Sequence, residues 1–102
     1  MWVIIVYDCP MIEREERRDY VLFRKKLLKE NFTRLQNSLY VRHFPTMATA
    51  EAMISCIRLE IPPGAQVAFF LITDKQYGMT REFFGKKSTK KKPNLPEQIE
   101  LF

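Results

Sequence analysis

Two runs along this chain are hydrophobic and uninterrupted by charge. The first is Trp2–Asp8, WVIIVYD, six hydrophobic residues closed by one carboxylate and followed by Cys9-Pro10. The second is Gln66–Thr73, QVAFFLIT, followed directly by Asp74. Short runs rich in Val, Ile and aromatics predict central strands buried on both faces. Between them the periodicity changes. A charged helix is predicted from about Ile12 to Asn31, with Tyr20 and Leu27 on one arc, Phe23 beside them, and Val21 and Leu28 on another arc about 100° away. Phe32–Gln36 and Leu39–Phe44 predict strands, with Asn37-Ser38 as the turn or bulge between them. Pro45-Thr46 opens a second helix, about Ala48 to Leu59, that places Ala50, Met53, Ile54 and Ile57 on one face. Pro62-Pro63-Gly64 ends it, and Glu82–Gly85 fits a short fifth strand.

The order βαββαβ predicts an α+β, ferredoxin-like domain over residues 1–85, with two helices on one antiparallel sheet. Residues 86–96 then read as a basic linker and 97–102 as a separate C-terminal segment. A chain of 102 residues holds one domain. At this size about 60–70% of the unfolded surface is buried on folding, so self-association would help it. No apolar run approaches the ~20 residues of a membrane span, and the first run lacks the flanks of a signal peptide. A cytoplasmic location and no membrane partner are expected. Cys9 and Cys56 have no zinc-like spacing with each other or with His43, the single histidine, so both read as core or near-core thiols.

Net charge is +5, which suggests a polyanionic partner. Its distribution changes the picture. Residues 1–85 carry a net of only +2, whereas 86–92, KKSTKKK, hold five lysines. That segment fits either a solvated linker or an arm on phosphates. In the first helix Arg14, Arg18, Lys25 and Lys29 form an outward stripe, with Glu13, Glu15, Glu16 and Asp19 toward the N-terminus as the helix dipole favours. Arg17 and Arg24 fall between the two apolar arcs, where an arginine snorkels along the core edge or pairs with a carboxylate. Asp8 sits where a buried strand meets solvent. It can hold a metal or a reacting phosphate, or cap the helix that follows.

Four segments carry a resemblance: YD at the end of the first strand, the helix RRDYVLFRKKL, the hairpin LQNSLYVR, and ITDKQ at the end of the last strand. In this order the chain resembles the small CRISPR-associated endoribonuclease family, above all its type II system members, over nearly its whole length. The resemblance implies a homodimer in which two sheets pack together and Arg81–Gly85 completes the partner's sheet. Arg17, Arg24, Arg81 and Phe83 are then structural or interface residues. It implies that Asp8 faces its symmetry mate, so that two carboxylates share one Mg²⁺ as the catalytic and metal site. It also implies a subunit for spacer acquisition that bridges dimers of a larger CRISPR integrase subunit and contacts protospacer DNA. The substrate of the nuclease reading is single-stranded RNA or double-stranded DNA.

With the resemblance added, the phosphate-contacting reading of the basic residues is preferred, for Arg14, Arg18, Lys25, Lys75, Lys86 and Lys87. Ile99, Leu101 and Phe102, an alternating apolar tip, are expected to dock on the larger subunit by strand addition. The chain has no DxD or DxE pattern beside Asp8, so one carboxylate per chain is sparse for a two-metal nuclease. A metabolite-binding regulatory domain fits the fold but lacks a Gly-rich motif.

Overall fold

The computed structural model describes residues 1–86. The elements are β1 (Trp2–Asp8), α1 (Arg14–Lys29), β2 (Thr33–Gln36), β3 (Leu39–His43), α2 (Met47–Arg58), β4 (Gln66–Ile72) and α3 (Asp74–Gly78). The four strands form one antiparallel sheet in the order β2-β3-β1-β4. This is the expected ferredoxin-like βαββαβ arrangement, with α3 added after β4.

The period-2 geometry of β1 decides what lies where. Val3, Ile5 and Tyr7 point to one face and are buried. They join Phe23 and Leu27 of α1 and Ala50 and Ile57 of α2 in a single core. Register carries this face across the sheet, since Ile5 is opposite Tyr40 on β3 and Phe69 on β4. Fully burying a side chain of this size contributes about 1.5–3 kcal/mol. The alternate positions belong to the other face: Ile4 lies opposite Val41 and Phe70, and Val6 opposite Leu39 and Ala68. Neither long helix covers that face, and Val6 and Phe70 are exposed although they sit on or beside the central strand.

Local chemistry fixes the helix ends. Glu16 Oε1 accepts hydrogen bonds from the N–H groups of Ile12 and Glu13, at 3.0 and 2.8 Å, so α1 begins after Glu13 and Ile12 lies outside it. At the other end Asn31 takes a positive φ of 67°. Phe32 N–H then donates to the Leu27 carbonyl at 3.1 Å and Asn31 N–H to that of Leu28 at 3.0 Å, closing the helix. Thr46 Oγ1 accepts from Thr49 N–H at 3.1 Å and starts α2.

Four expectations are corrected. The two apolar runs are not both central strands buried on both faces: β4 is an edge strand, and Val6 and Phe70 are exposed because α1 and α2 cover only one side of the sheet. Cys56 is exposed, not near the core, because α2 buries the face of Ala50 and Ile57 and Cys56 falls outside that stripe; Cys9 is buried as expected. The first helix buries only its Phe23–Leu27 arc, and Leu28 of the second arc is exposed. Glu82–Gly85 forms no strand in the single chain. A strand needs a neighbour to hydrogen-bond, and α3 intervenes between β4 and this segment, whose Phe83 is exposed. Among the described residues no helix is long and apolar enough to cross a membrane.

Candidate metal site and nucleic-acid surface

Asp8 is the last residue of β1, and its even position places it on the open face of the sheet. It pairs with Gln66 of β4. On the other side the β3 ladder has already stopped at Leu39, and Tyr7 N–H closes that edge on the Ser38 carbonyl at 3.1 Å. The carboxylate is therefore exposed at the rim of a shallow cavity of about 220 Å³ lined by Val6, Tyr7, Asp8, Gln66 and Ala68. Its role as a cap for the following helix is overturned, since Glu16 serves the α1 N-terminus and the Asp8 carboxylate accepts no hydrogen bond among the described residues. Among those residues no cluster of three or more His, Cys, Asp or Glu side chains could hold a metal within one chain.

The neighbours of Asp8 in sequence are kept in their neutral forms. Burial pushes the Tyr7 hydroxyl far above its usual range, and the nearby Tyr40 and Tyr20 hydroxyls add to this. Burial also pushes the Cys9 thiol up, with the charges of Asp8 and Asp19 adding to it. Asp8 is thus flanked by residues that bring no charge, and its own carboxylate supplies the charge at the end of β1.

The basic residues fall into separate groups. Arg14, Arg18 and Lys25 lie exposed along one stripe of α1, spanning about 16 Å at 1.5 Å per residue. Arg14 lies at the same end of the sheet as Asp8, yet the helix is on the opposite face. Lys75 is exposed on α3 at the far end of the sheet. Lys86 ends the described chain and is exposed, as is Arg81. Lys87, Ile99, Leu101 and Phe102 lie outside the described residues. Among the described residues Arg17 pairs with no carboxylate. Its Nη1 donates to the carbonyls of Ile12 and Met11 at 2.7 and 3.2 Å and ties the loop to α1. Arg24 is half-buried, with its Nε enclosed and without a hydrogen bond among the described residues. The fold therefore does not gather the sequence-predicted site residues into one constellation within a single chain.

One cluster went unforeseen. At the end of the sheet opposite Asp8, Asp74 Oδ1 accepts from the Met1 ammonium at 2.7 Å and lies 3.1 Å from His43 Nε2. The ammonium contact is the main cause that holds the Asp74 carboxyl below its usual range, with His43 adding to it. Trp2 stacks on Tyr77 of α3 with ring centroids 3.8 Å apart and meets His43 edge-on at 5.2 Å. The signal for α3 was in the sequence. Thr73 and Gln76 form a capping box, with Gln76 N–H on Thr73 Oγ1 at 3.1 Å and Thr73 N–H on Gln76 Oε1 at 2.8 Å.

Comparison with known proteins gives one answer. The family model for CRISPR associated protein Cas2 matches residues 1–80. The CRISPR-associated endoribonuclease Cas2 of Parvibaculum lavamentivorans is 36% identical over 104 residues, covering 100% of both chains. That of Flavobacterium psychrophilum is 38% identical over 103 residues, covering 100% of this chain and 88% of the relative. Cas2 of Streptococcus pyogenes, solved at pH 6.5, superposes with a TM-score of 0.63 at 17% identity, over 82% of this chain and 100% of that one. At that identity the likeness is one of fold. The matched length and the identity to the curated relatives establish that the chain belongs to the Cas2 family of CRISPR-associated proteins.

Proposed function

We propose that this chain works as a homodimer in CRISPR spacer acquisition, bridging dimers of a larger integrase subunit and holding the protospacer backbone. The observation that carries the reading is the open sheet face. Ile4, Val6 and Phe70 form an apolar surface that neither α1 nor α2 covers, ending in the Asp8 carboxylate, which accepts no hydrogen bond among the described residues. Packing two such faces together would remove that surface from water. Arg14, Arg18 and Lys25 would remain outward on the helix layer of each copy. They would meet phosphates without reading bases, so binding should weaken steeply with salt.

The same face supports a second reading, a metal-dependent endoribonuclease with paired Asp8 carboxylates. Hard carboxylate oxygens suit Mg²⁺, which keeps several waters and needs few protein ligands. One Asp8 from each copy fits such a site, and among the described residues no hydrogen bond competes for the carboxylate. Bound there, Mg²⁺ would supply charge stabilisation and an activated water at a phosphodiester. The chain's own part is to hold the cation by Asp8, keep Tyr7 and Cys9 neutral beside it, and retain the nucleic acid by its basic stripe. The relatives' printed name, endoribonuclease, supports RNA as the substrate to test first.

Asp8→Asn separates the two. Cleavage of single-stranded RNA in Mg²⁺ should fall by about a hundredfold or more with the loss of a direct metal ligand. Normal spacer acquisition by that variant would reject catalysis as the biological role and leave bridging standing. Failed acquisition by a folded dimer would reject a purely structural role. Docking through the C-terminal tip has its own test. Removal of residues 97–102 should abolish binding to the larger subunit, and unchanged binding would end that part of the proposal.

A further inference from the structure

A groove lies in the helix layer, on the side of the sheet away from Asp8. Leu22 and Phe23 of α1 form one wall, and Leu59, Ile61 and Pro62 of the α2–β4 connection form the other, around about 260 Å³. Leu59 is 81% exposed and Leu22 55% exposed, so two large aliphatic side chains stand in water at its mouth. The ionisable residues that line it are both acids, Asp19 and Glu60. Glu15 lies one helical turn before Asp19 on the same side of α1. Lys25 and Lys26 both lie one turn beyond Leu22; Lys26 is paired with Glu30 at 3.1 Å, and Lys25 is exposed but does not line the groove. Arg18 and Arg58 are exposed nearby in sequence but do not line the groove.

In a chain of net charge +5, an apolar groove rimmed by carboxylates selects against nucleic acid. Its volume is below that of an ordinary small-molecule site and suits one or two side chains. We propose that this groove docks a basic-apolar segment of a partner protein, in which a Leu, Ile or Phe enters between Leu22 and Leu59 and a flanking Lys or Arg meets Asp19 and Glu60. The apolar residue supplies the affinity and the carboxylates set the sign of the partner. The site is independent of Asp8 and of how two copies associate, because it lies on the helix layer and leaves the open sheet face untouched.

The test is a nuclear magnetic resonance titration of the full chain with the peptide Lys-Leu-Lys-Phe-Lys. Two control peptides replace either its lysines by Glu or its Leu and Phe by Ser. Saturable shifts are expected at the amides of Asp19, Leu22, Glu60 and Ile61 with the first peptide alone. Leu59→Ser, and Asp19→Asn combined with Glu60→Gln, should each weaken binding about tenfold with unchanged melting. The proposal is overturned if the acidic or the serine peptide binds equally, if the variants bind as the wild type does, or if no saturable shift occurs in the groove. It is also overturned if binding appears only after removal of residues 87–102, which would give the groove to the chain's own tail.

Discussion

The two faces of the sheet are built from the same strands and nearly the same residue types, yet they meet different fates. Val3, Ile5, Tyr40 and Phe69 face α1 and α2 and form the core. Ile4, Val6 and Phe70 are just as apolar and are covered by neither α1 nor α2. Two helices of 16 and 12 residues can cover only one face of a four-stranded sheet. One face therefore accounts for folding, and the other asks for a second molecule. A strand such as WVIIVYD serves both, half of it in each direction.

Substitutions on the two faces should separate folding from association. Ile5→Ala, on the covered face, is expected to cost about 2–5 kcal/mol of stability, read as a lower denaturant midpoint. The loss should be independent of protein concentration if it belongs to the core of each chain. Phe70→Asp, on the open face, should leave the fold intact and raise the dissociation constant for self-association by about thirtyfold or more, read by sedimentation. An unchanged particle mass would break the reading of this face as a copy-to-copy surface. Asp8 lies on the same face and its carboxylate makes no hydrogen bond among the described residues, so in metal-free buffer the stability of Asp8→Asn should stay within about 0.5 kcal/mol of wild type. A larger loss would mean that Asp8 has a structural partner after all.

These contrasts also explain what could be read without coordinates. β1 and β4 were legible because uncharged runs of this length rarely do anything else. The helices were legible from their apolar spacing. The open face was not, because alternation cannot tell a covered apolar side from an uncovered one when both carry Val, Ile and Phe. The short α3 is not legible from periodicity because its five residues bury no side chain, and only the Thr73/Gln76 cap marks it. Cys56 was misplaced because a cysteine beside Ile57 looks buried until the helix is turned to its true face. Asp8 was located correctly at the strand end, but its freedom from capping depended on Glu16, a residue that reads only as one of several acids before it is seen to bond Ile12 and Glu13.

The partners of Asp74 were the least legible, since Met1 and His43 lie 73 and 31 residues away along the chain. Asp8 ends the inner strand β1 and Asp74 follows the edge strand β4, at opposite ends of the sheet; among the described residues the first carboxylate has no partner and the second has two. That difference gives the smallest expected effect. Asp74 is exposed, so Asp74→Asn should lower the melting temperature only slightly at neutral pH. The sign with pH follows from its lowered pKa. The folded state holds the ionised form more tightly than the unfolded chain does, so the contribution is complete above the ordinary carboxylate range. It fades as pH falls through the lowered value of the folded state. Wild type and Asp74→Asn should therefore differ at pH 7 and converge in acid. Trp2, the only tryptophan, stacks on Tyr77 three residues after Asp74, and its fluorescence reports on this end of the sheet. If the variant moves Trp2 emission as much in acid as at pH 7, the Met1–Asp74 contact does not hold α3 in place, and the stacking of Trp2 on Tyr77 alone does.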